Sequence, residues 1–553
     1  MAHNPLSSFN VHHRQKIFNK LSSEKFDLLI VGGGITGTSI FRDACLRGIK
    51  TALVEAKDFS HGTSCRSTKL IHGGLRYLKN LGFKVAHESC TERNLHMKLN
   101  KRLVRPIPFL VPVYRGKKPS KAILSIGMWL YEIVSEFQNY KFHRFISREQ
   151  TLLKAPGLES KNLLGAFVYY DAAISDNRWT IETLKDGIRN GGTAINYSPV
   201  VELVKAEDKI TSIVIEDSLT GKKYSAKAGF IVNATGIFSD EIRKLDDKNS
   251  KSLIRLSKGT HLVFRKKDIP LKSTIVFSSP IDKRVMFFAL NEGSFLLGTT
   301  DDWVNDNPWE PMPKEKDVNY LLESAQRFMP NASITKEKVQ FVYSGFRPLL
   351  FKGNDGNAKK EISPSKASRE DFVEISKSGM ITIVGGKLTT ARLMAKKVLN
   401  IITPKIPRKL NSCRTHKLSI GGTNSEIAEG ISFWTRKCPE MMPYITILFR
   451  RYGLDAHDIC REALLIFEGK HPDKRAEPIR AEVQYVCRNE MVCTLEDLLE
   501  RRAGFLYWNP KKRLERLDYG KHVIKKELGF SDGEFRKQFN GYRKFLKKYH
   551  TLD

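Results

Sequence analysis

The residues best suited to chemistry lie in one short run, residues 66–77, which reads RSTKLIHGGLRY. His72 can carry a proton, and basic side chains such as Arg76 can bind an anion. The run follows a glycine-rich turn by one strand–helix–strand unit. This spacing predicts that an anionic substrate is brought beside a bound nucleotide.

The glycine-rich turn GGGITG, residues 32–37, lies between a buried apolar stretch and a helical one. Gly32 permits a tight turn, Gly34 lets the backbone approach a pyrophosphate, and Gly37 lets the helix pack on the strand. A second strand, TALV, ends at Glu55, which is placed to accept hydrogen bonds from a ribose. The pattern predicts a dinucleotide-binding fold with the pyrophosphate at a helix N-terminus.

The elements that must position these residues continue along the chain. A buried strand ends in NATG, residues 233–236, and residues 253–350 alternate as strands of an antiparallel sheet. A third strand leads into Gly-Gly-Lys, residues 385–387, and then a helix. Beyond residue 415 the periodicity is helical. At 553 residues, the chain is expected to form two or three domains.

Composition limits the classes of partner. Lys and Arg number 93 against 60 Asp and Glu, a net charge of +33, which favours nucleic acid, anionic lipid or phosphorylated metabolites. A general lysine bias explains it equally well. Eight cysteines without a CxxC pair argue against a metal site and favour a reducing cytoplasm. No signal peptide or membrane-spanning apolar stretch is expected.

With these landmarks in place, the sequence closely resembles the FAD-dependent glycerol-3-phosphate dehydrogenase family over roughly residues 25–530. The motifs that carry the resemblance are GGGITG (32–37), CRSTKLIHGGLRYL (65–78), NATG (233–236), KGTHLVF (258–264), LGTTDD (297–302), YSGFRPL (343–349) and GGKLTT (385–390). The resemblance implies oxidation of sn-glycerol 3-phosphate at C2 to dihydroxyacetone phosphate, with hydride transfer to N5 of FAD. The electrons would then pass to a membrane quinone.

The implied substrate suits the residue types. A phosphomonoester carries nearly two negative charges and needs several cations in a fixed array. Family position assigns the substrate site to His72, Arg76, Tyr77, His261, Arg347, Arg369 and Lys387. Either histidine can serve as the base, with His261 preferred. Lys387 and Arg347 can instead stabilise developing negative charge. The LGTTDD segment is expected to be a structural element without a catalytic role.

Cofactor residues follow from the same motifs. On the adenine, ribose and pyrophosphate side we expect Gly32, Gly34, Gly37, Glu55 and Ser67; on the isoalloxazine and ribityl side we expect Gly386, Lys387, Leu388 and Thr389.

The expected fold is mixed α/β: a Rossmann-like FAD-binding domain interleaved with an antiparallel β-rich substrate domain, followed by a helical C-terminal domain. The FAD segments are expected at about residues 26–110, 200–240 and 375–403, and the substrate segments at about 111–199 and 241–374. Residues 1–25 are expected to be a flexible arm, and residues 406–553 to form the helical domain with its basic tail. The sequence is compatible with a homodimer but does not determine the oligomeric state.

A quinone-linked enzyme must touch the bilayer, so we expect a cytoplasmic protein held peripherally on the inner face of the cell membrane. The basic cluster RGKKPSK, residues 115–121, precedes an apolar run that begins at Ile123. This pattern is typical of an interfacial helix on anionic lipid, but an ordinary loop before a core helix fits equally well. The basic tail, residues 509–553, fits either a lipid contact or a solvated helix face.

Three alternatives compete with this interpretation. An oxygen-using oxidase of the same family is expected to carry an insertion, for which the spacing between LGTTDD, YSGFRPL and GGKLTT leaves no room. A basic flavoprotein that modifies nucleic acid is disfavoured because no RRM, KH or zinc-finger signature is present, so no nucleic-acid partner is expected. A catalytically silent flavoprotein would lack a site residue, and none is lost.

Overall fold

The computed structural model describes residues 5–78, 82–351, 364, 367, 369–466, 476–503 and 510–551 of the chain. The strands are β1 Lys25–Val31, β2 Thr51–Val54, β3 Leu70–Ile71, β4 Val104–Tyr114, β5 Arg144–Ser147, β6 Leu163–Ile174, β7 Thr193–Ile195, β8 Val200–Ala206, β9 Lys209–Glu216, β10 Lys223–Asn233, β11 Ile254–Arg265, β12 Thr274–Ser278, β13 Val285–Asn291, β14 Ser294–Gly298, β15 Asp302–Trp303, β16 Val339–Leu350, β17 Asp371–Ile375 and β18 Ile381–Gly385.

The helices are α1 Arg14–Ser23, α2 Ile35–Leu46, α3 Leu75–Leu78, α4 Phe83–Leu99, α5 Lys121–Val134, α6 Arg148–Lys154, α7 Asp176–Arg189, α8 Ser239–Asp246, α9 Glu315–Phe328, α10 Ala391–Ile402, α11 Asn424–Lys437, α12 Met442–Tyr452, α13 Ala456–Ile466, α14 Ala476–Asn489, α15 Pro510–Leu528 and α16 Asp532–His550. Short 3₁₀ turns connect many of them, and residues 497–502 form one π-helical turn.

The first sheet has the spatial order β17–β18–β10–β1–β2–β7, with the β8–β9 hairpin paired to β10. Its strands β18, β10, β1, β2 and β7 are parallel. Val, Ile and Leu are frequent toward the carboxyl ends of these strands because both faces of the sheet are covered. Their carboxyl ends lie along one edge, where open α/β sheets bind ligands.

Two layers cover this sheet. Helices α2, α7 and α10 pack on one face, where Phe41, Leu184 and Val398 join the strands in one apolar core. Helix α1 and the β8–β9 hairpin cover the opposite face through Phe18 and Leu21. This is the Rossmann-like arrangement predicted from the glycine-rich turn.

The second sheet has the order β15–β11–β14–β13–β12–β4–β6–β3, with β16 paired to β11 and β5 to β6. All pairs in it are antiparallel except β12–β4. Helices α6 and α9 lie against one apolar face, and α4 and α5 lie against the other. The predicted β-rich unit is therefore present beside the first sheet.

The chain crosses between the two sheets at different places from those predicted. β3 and most of β4 fall inside the expected FAD segment 26–110 but belong to the second sheet. α7 and β7 fall inside the expected substrate segment 111–199 but return to the first. The reason is that β7 extends the parallel sheet beside β2, a pairing between distant segments that local pattern does not reveal.

The flexible arm predicted for residues 1–25 is wrong for its described part. Residues 5–23 form 3₁₀ turns and helix α1, and the side chains of Leu6, Phe9, Phe18 and Leu21 are buried. The amphipathic spacing of these apolar residues lets a polar-looking segment pack against the first sheet. Residues 1–4 lie outside the described part of the chain.

Helices α11–α16 enclose a separate apolar core, as the helical periodicity predicts. The basic α16 turns its apolar face inward: Tyr542 donates a hydrogen bond to Glu500, and His550 stacks on Phe341 of β16. Because these side chains are buried, the arrangement favours the solvated-face alternative for this helix over the lipid contact.

Candidate functional site

The carboxyl edge of the first sheet opens into a cavity of about 1490 Å³. Its lining includes residues that directly follow four parallel strands: Gly32 after β1, Glu55 after β2, Ala234 after β10 and Gly386 after β18. The second sheet contributes His261 and Arg347 from the other side. Cavities that hold one drug-sized ligand measure about 300–1000 Å³, so this one has room for a dinucleotide and a second molecule.

The turn between β1 and α2 has the geometry that a pyrophosphate requires. Gly32 has φ +110°, and a Cβ there would lie 2.7 Å from the carbonyl oxygen of Ala234. A Cβ on Gly37 would lie 1.9 Å from the carbonyl oxygen of Gly32, so only glycine allows α2 to approach this turn. A Cβ on Gly34 would meet only Ser64 Oγ within 4 Å, which leaves its cavity side open to a ligand.

Glu55 holds the neighbouring loop in place. Its carboxylate accepts hydrogen bonds from the backbone N–H of Gly33 at 2.6 Å and of Lys57 at 2.9 Å. Burial raises the pKa of Glu55, and these two hydrogen bonds oppose that effect. Glu55 lines the cavity, and its carboxylate has lone pairs left for a ribose hydroxyl.

Ser67 lines the cavity too, but its side chain has a protein partner. Its hydroxyl donates to Asp176 Oδ2 at 2.7 Å, and Lys69 donates to Asp176 Oδ1 at 2.5 Å. Both Lys69 and Asp176 are fully buried. The N-terminus of α7 thus fixes the start of the 66–77 run.

The predicted flavin-side residues lie at the end of β18. Leu388 and Thr389 line the cavity in the 3₁₀ turn that precedes α10. The backbone N–H of His72 donates to Thr389 Oγ1 at 3.4 Å. Lys387 donates to Ser89 Oγ at 2.6 Å, and its ammonium lies 3.8 Å from the centre of the Tyr77 ring. The Gly-Gly-Lys turn is therefore in contact with the HGGLRY run.

The HGGLRY run, residues 72–77, is held in place by Asp171 of β6. The backbone N–H of Gly73 donates to Asp171 Oδ1 at 3.1 Å, the Tyr131 hydroxyl donates to the same oxygen at 2.9 Å, and Arg93 pairs with it at 2.5 Å. Arg93 lies on α4 and Tyr131 on α5. The position of His72 and Tyr77 thus depends on two helices of the β-rich unit.

His261 on β11 is enclosed among protein groups. Its Nε2 lies 3.0 Å from Thr68 Oγ1 and its ring stacks on Tyr343, whereas its Nδ1 is buried without a hydrogen-bond partner among the described residues. Burial, and then the charges of Arg347 and Lys69, hold the pKa of His261 well below its usual range. The imidazole is therefore neutral at neutral pH and able to accept a proton.

Arg347 of β16 lies across Gly259 of β11 and reaches the segment between β14 and β15. It donates to Thr299 Oγ1 at 3.0 Å and to Asp301 Oδ1 at 3.1 Å. Asp301 Oδ2 lies 3.9 Å from Nη2 of Arg369. Both arginines line the cavity, so two cations from distant segments meet at one place.

The structure brings most of the predicted site residues to this cavity. Those that line it are Gly32, Gly34, Glu55, Ser67, His72, Tyr77, His261, Arg347, Arg369, Gly386, Lys387, Leu388 and Thr389. Gly37 acts behind the turn through helix packing. Arg76 lies on α3, and its side chain is outside the part of the chain that the structure describes.

Sequence reasoning missed two polar residues at the site, Asp171 and Asp301. Asp171 is an acid within the otherwise apolar strand β6, which is a usable signal for a buried hydrogen-bonding role. Asp301 stood inside the LGTTDD motif, whose expected role was structural only.

The cradle fits the dinucleotide that the sequence implies. The N-terminus of α2 opens onto the cavity, the Gly34 surface is free of side chain, and Glu55 stands where β2 ends. These are the features that bind a pyrophosphate and a ribose in Rossmann-like folds.

The same cavity also reaches the second sheet and the segment before α5. Its lining includes Val111, Val276 and Phe287 as well as Arg115, Lys117 and Lys118. Leu124 of α5 also lines it. One cavity therefore extends from the second sheet to the basic segment before α5.

Helix α5 carries an exposed apolar face, which we define as Ile123, Ile126, Trp129, Leu130 and Ile133. Between 37% and 62% of the surface of each of these residues is exposed. The opposite side of the helix, with Met128 and Tyr131, is buried. Contiguous apolar surface of this kind marks a binding surface. No helix in the described part of the chain has the length and apolar character needed to cross a bilayer.

Two family models match the chain. Residues 27–392 match the model described as FAD dependent oxidoreductase, and residues 413–534 match the C-terminal domain of alpha-glycerophosphate oxidase. The chain is 32% identical over 550 residues to the aerobic glycerol-3-phosphate dehydrogenase of Staphylococcus haemolyticus, with 97% of each chain covered. It is 31% identical over 532 residues to the Staphylococcus aureus protein of the same name, covering 94% of this chain and 93% of that one.

Among solved structures, the glycerol-3-phosphate dehydrogenase of Bacillus halodurans complexed with FAD matches with a TM-score of 0.79 and 27% identity, covering 98% of both chains. The FAD-bound L-alpha-glycerophosphate oxidase of Mycoplasma pneumoniae matches with a TM-score of 0.55 and 17% identity, covering 71% of this chain and 97% of that one. The second similarity concerns the fold alone.

Proposed function

Since the chain belongs to the family of FAD-dependent glycerol-3-phosphate dehydrogenases, we propose that it oxidises sn-glycerol 3-phosphate at C2 to dihydroxyacetone phosphate and delivers the electrons to a membrane quinone. FAD is its cofactor. When bound, FAD supplies the acceptor for the hydride that leaves C2. Gly32, Gly34 and Glu55 would hold its pyrophosphate and ribose, and the Gly386–Thr389 turn its flavin side.

The observation that carries the proposal is the meeting of a neutral imidazole with several cations in one cavity. Arg347 and Arg369 bind the phosphate, because guanidinium groups suit its geometry and charge. Arg76 is proposed as a third phosphate ligand on its motif position alone. Tyr77 and Lys387, which contact each other, close the site from the HGGLRY side.

Removal of the hydroxyl proton is assigned to His261. Its neutral form is maintained at neutral pH, and the residue lines the cavity. A substrate hydroxyl that hydrogen-bonds the imidazole gives up its proton as the hydride departs. Lys387 and His72 face the same space and stabilise negative charge that develops on the oxygen.

The proposed quinone acceptor and the proposed location on the inner membrane face rest on helix α5 and the basic residues before it. Helix α5, with its apolar face, directly follows the segment that holds Arg115, Lys117 and Lys118, a combination that suits a bilayer with anionic headgroups. These basic residues line the same cavity as His261, which supports access of a membrane-dissolved acceptor to the site.

The deciding experiment mixes the FAD-loaded protein anaerobically with glycerol 3-phosphate and follows the visible absorbance of the flavin. Rapid bleaching that a quinone reverses and oxygen reverses only slowly is the expected result. Rapid reversal by oxygen with formation of peroxide would assign the protein to the oxidase branch. Absence of bleaching in a protein that holds FAD would refute the proposed substrate.

A further inference from the structure

We propose that Asp301 is a positioning residue whose carboxylate holds the guanidinium groups of Arg347 and Arg369 in the arrangement that binds the substrate phosphate. This inference rests on the proposed function and adds to it a residue outside the catalytic set. It gives a task to the LGTTDD motif, which the reaction itself leaves without one.

The contacts place Asp301 between the two arginines. Its Oδ1 accepts a hydrogen bond from Arg347 Nη1 at 3.1 Å, and its Oδ2 lies 3.9 Å from Arg369 Nη2. Only 7% of its side chain is exposed, against 22% for Arg347 and 11% for Arg369. One buried carboxylate therefore faces two cations that enter from different segments.

Asp301 is itself held in place. The hydroxyl of Ser257 on β11 donates to its Oδ1 at 2.5 Å. On the preceding residue, Thr300 Oγ1 accepts the backbone N–H of Thr260 at 2.9 Å. These bonds tie the carboxylate and the residue before it to β11, which limits the movement of Asp301.

Two guanidinium groups this close repel each other, and the repulsion grows in a site of low polarity. A carboxylate between them removes most of that repulsion, while the array keeps a net positive charge for a phosphate. Groups held in the bound arrangement beforehand lose less entropy when the ligand arrives. Asp301 therefore favours phosphate binding through position, although its own charge opposes an anion.

The Asp301→Asn substitution separates these two effects. If charge dominated, the variant would bind phosphate more tightly, because one negative charge has left the site. If position dominates, Arg347 settles on its other acceptors, which are Thr299 Oγ1 at 3.0 Å and Ser257 Oγ and the Thr300 carbonyl oxygen at 3.4 Å. Phosphate binding then weakens.

Asp302 provides the matched control. It is the next residue, but 48% of its side chain is exposed, and it lies 3.6 Å from Arg284. Asp302→Asn removes the same charge from the same motif while leaving the arginine pair untouched.

The experiment compares the FAD-loaded wild type with Asp301→Asn and Asp302→Asn in anaerobic stopped flow. We expect Asp301→Asn to raise the dissociation constant of glycerol 3-phosphate roughly 10- to 100-fold, the factor for one lost charge-assisted hydrogen bond. The limiting rate of flavin reduction should change far less. The inhibition constant of inorganic phosphate should rise by the same factor, a readout that a general loss of stability would not reproduce. Asp302→Asn should leave both constants near the wild-type values.

Unchanged or tighter phosphate binding by Asp301→Asn would overturn the proposal, as would an equal effect of Asp302→Asn. If Asp301→Asn fails to fold, Ser257→Ala tests the same idea, because it releases Asp301 without altering charge; weaker phosphate binding supports the proposal and wild-type binding overturns it. Binding of inorganic phosphate can be followed through the flavin spectrum without turnover. A wild type that glycerol 3-phosphate does not reduce therefore refutes the proposed function, while the phosphate measurement still decides the role of Asp301.

Discussion

Replacing three isoleucines of the α5 apolar face by serine, Ile123→Ser, Ile126→Ser and Ile133→Ser, should release the protein from anionic vesicles. The exposed fractions of these residues are 58%, 62% and 55%. Together they equal about one and three-quarter fully exposed side chains. At about 1.5–3 kcal/mol for each fully buried side chain, their entry into the bilayer contributes roughly 2.5–5 kcal/mol. The triple variant should therefore partition roughly 70- to 5000-fold less well.

Cosedimentation with phosphatidylglycerol–phosphatidylcholine vesicles measures this partitioning. Bleaching of the flavin by glycerol 3-phosphate in solution checks that the variant remains folded, since the isoleucines lie outside the site. The control carries Phe433→Ser, Ile447→Ser and Leu465→Ser, which remove a similar exposed fraction, 48%, 43% and 70%, from the C-terminal helices. An unchanged affinity of the α5 variant, or an equal loss in the control, would refute the assignment of α5 to the membrane.

Gly37→Ala should yield protein that does not retain FAD, because the added Cβ would lie 1.9 Å from the Gly32 carbonyl oxygen. The control Gly127→Ala, whose added Cβ has nothing within 4 Å, should stay yellow. A yellow Gly37 variant would contradict the assignment of this turn to FAD binding. Because burial and two nearby cations lower the pKa of His261, the base stays unprotonated well below pH 6.5, so kcat/KM should fall only in more acidic solution; an acidic limb with its midpoint at or above 6.5 would argue against His261. Asp58→Asn should lower the free energy of unfolding by about 3–5 kcal/mol, since it removes the buried carboxylate that pairs with both Arg501 and Arg502. Burial alone would raise the pKa of Asp58, but Arg502 and Arg501 lower it. The stability that the Asp58 carboxylate contributes is therefore present above its unfolded pKa near 3.8 and is lost as the pH falls further. Equal melting temperatures of variant and wild type at neutral pH would refute this prediction.

Local pattern was enough for the parts of the fold that depend on neighbours in sequence. Periodicity and glycine placement predict the β1–α2–β2 unit, the antiparallel strands around His261 and the C-terminal helices. The positions of Gly32, Glu55, Lys387 and Arg347 at one cavity agree with the motif order. Their catalytic and binding roles remain predictions.

The features that sequence reasoning missed depend on contacts between distant segments. Asp301 is an unremarked acid until β11 and β16 bring Arg347 to it. The N-terminal segment is polar in composition, but Leu6 and Phe9 are buried in the apolar core beside the first sheet. The exposed state of α5 was equally undetermined, because an apolar stripe reads the same whether it covers a core or faces outward.

Segments that are far apart in the sequence meet in the folded protein, and this places a constraint on biosynthesis. The backbone N–H of Met491 donates to the carbonyl of Phe9, and Asp58 receives its buried partners from Arg501 and Arg502. Asp58 and Arg501 are 443 residues apart, which at about 5–20 residues per second means that roughly 20 to 90 s pass between their synthesis. An unpaired carboxylate cannot be buried cheaply during that interval. The loop beside Glu55 must therefore stay hydrated during synthesis until Arg501 and Arg502 emerge from the ribosome, and the cofactor cradle is completed only after that.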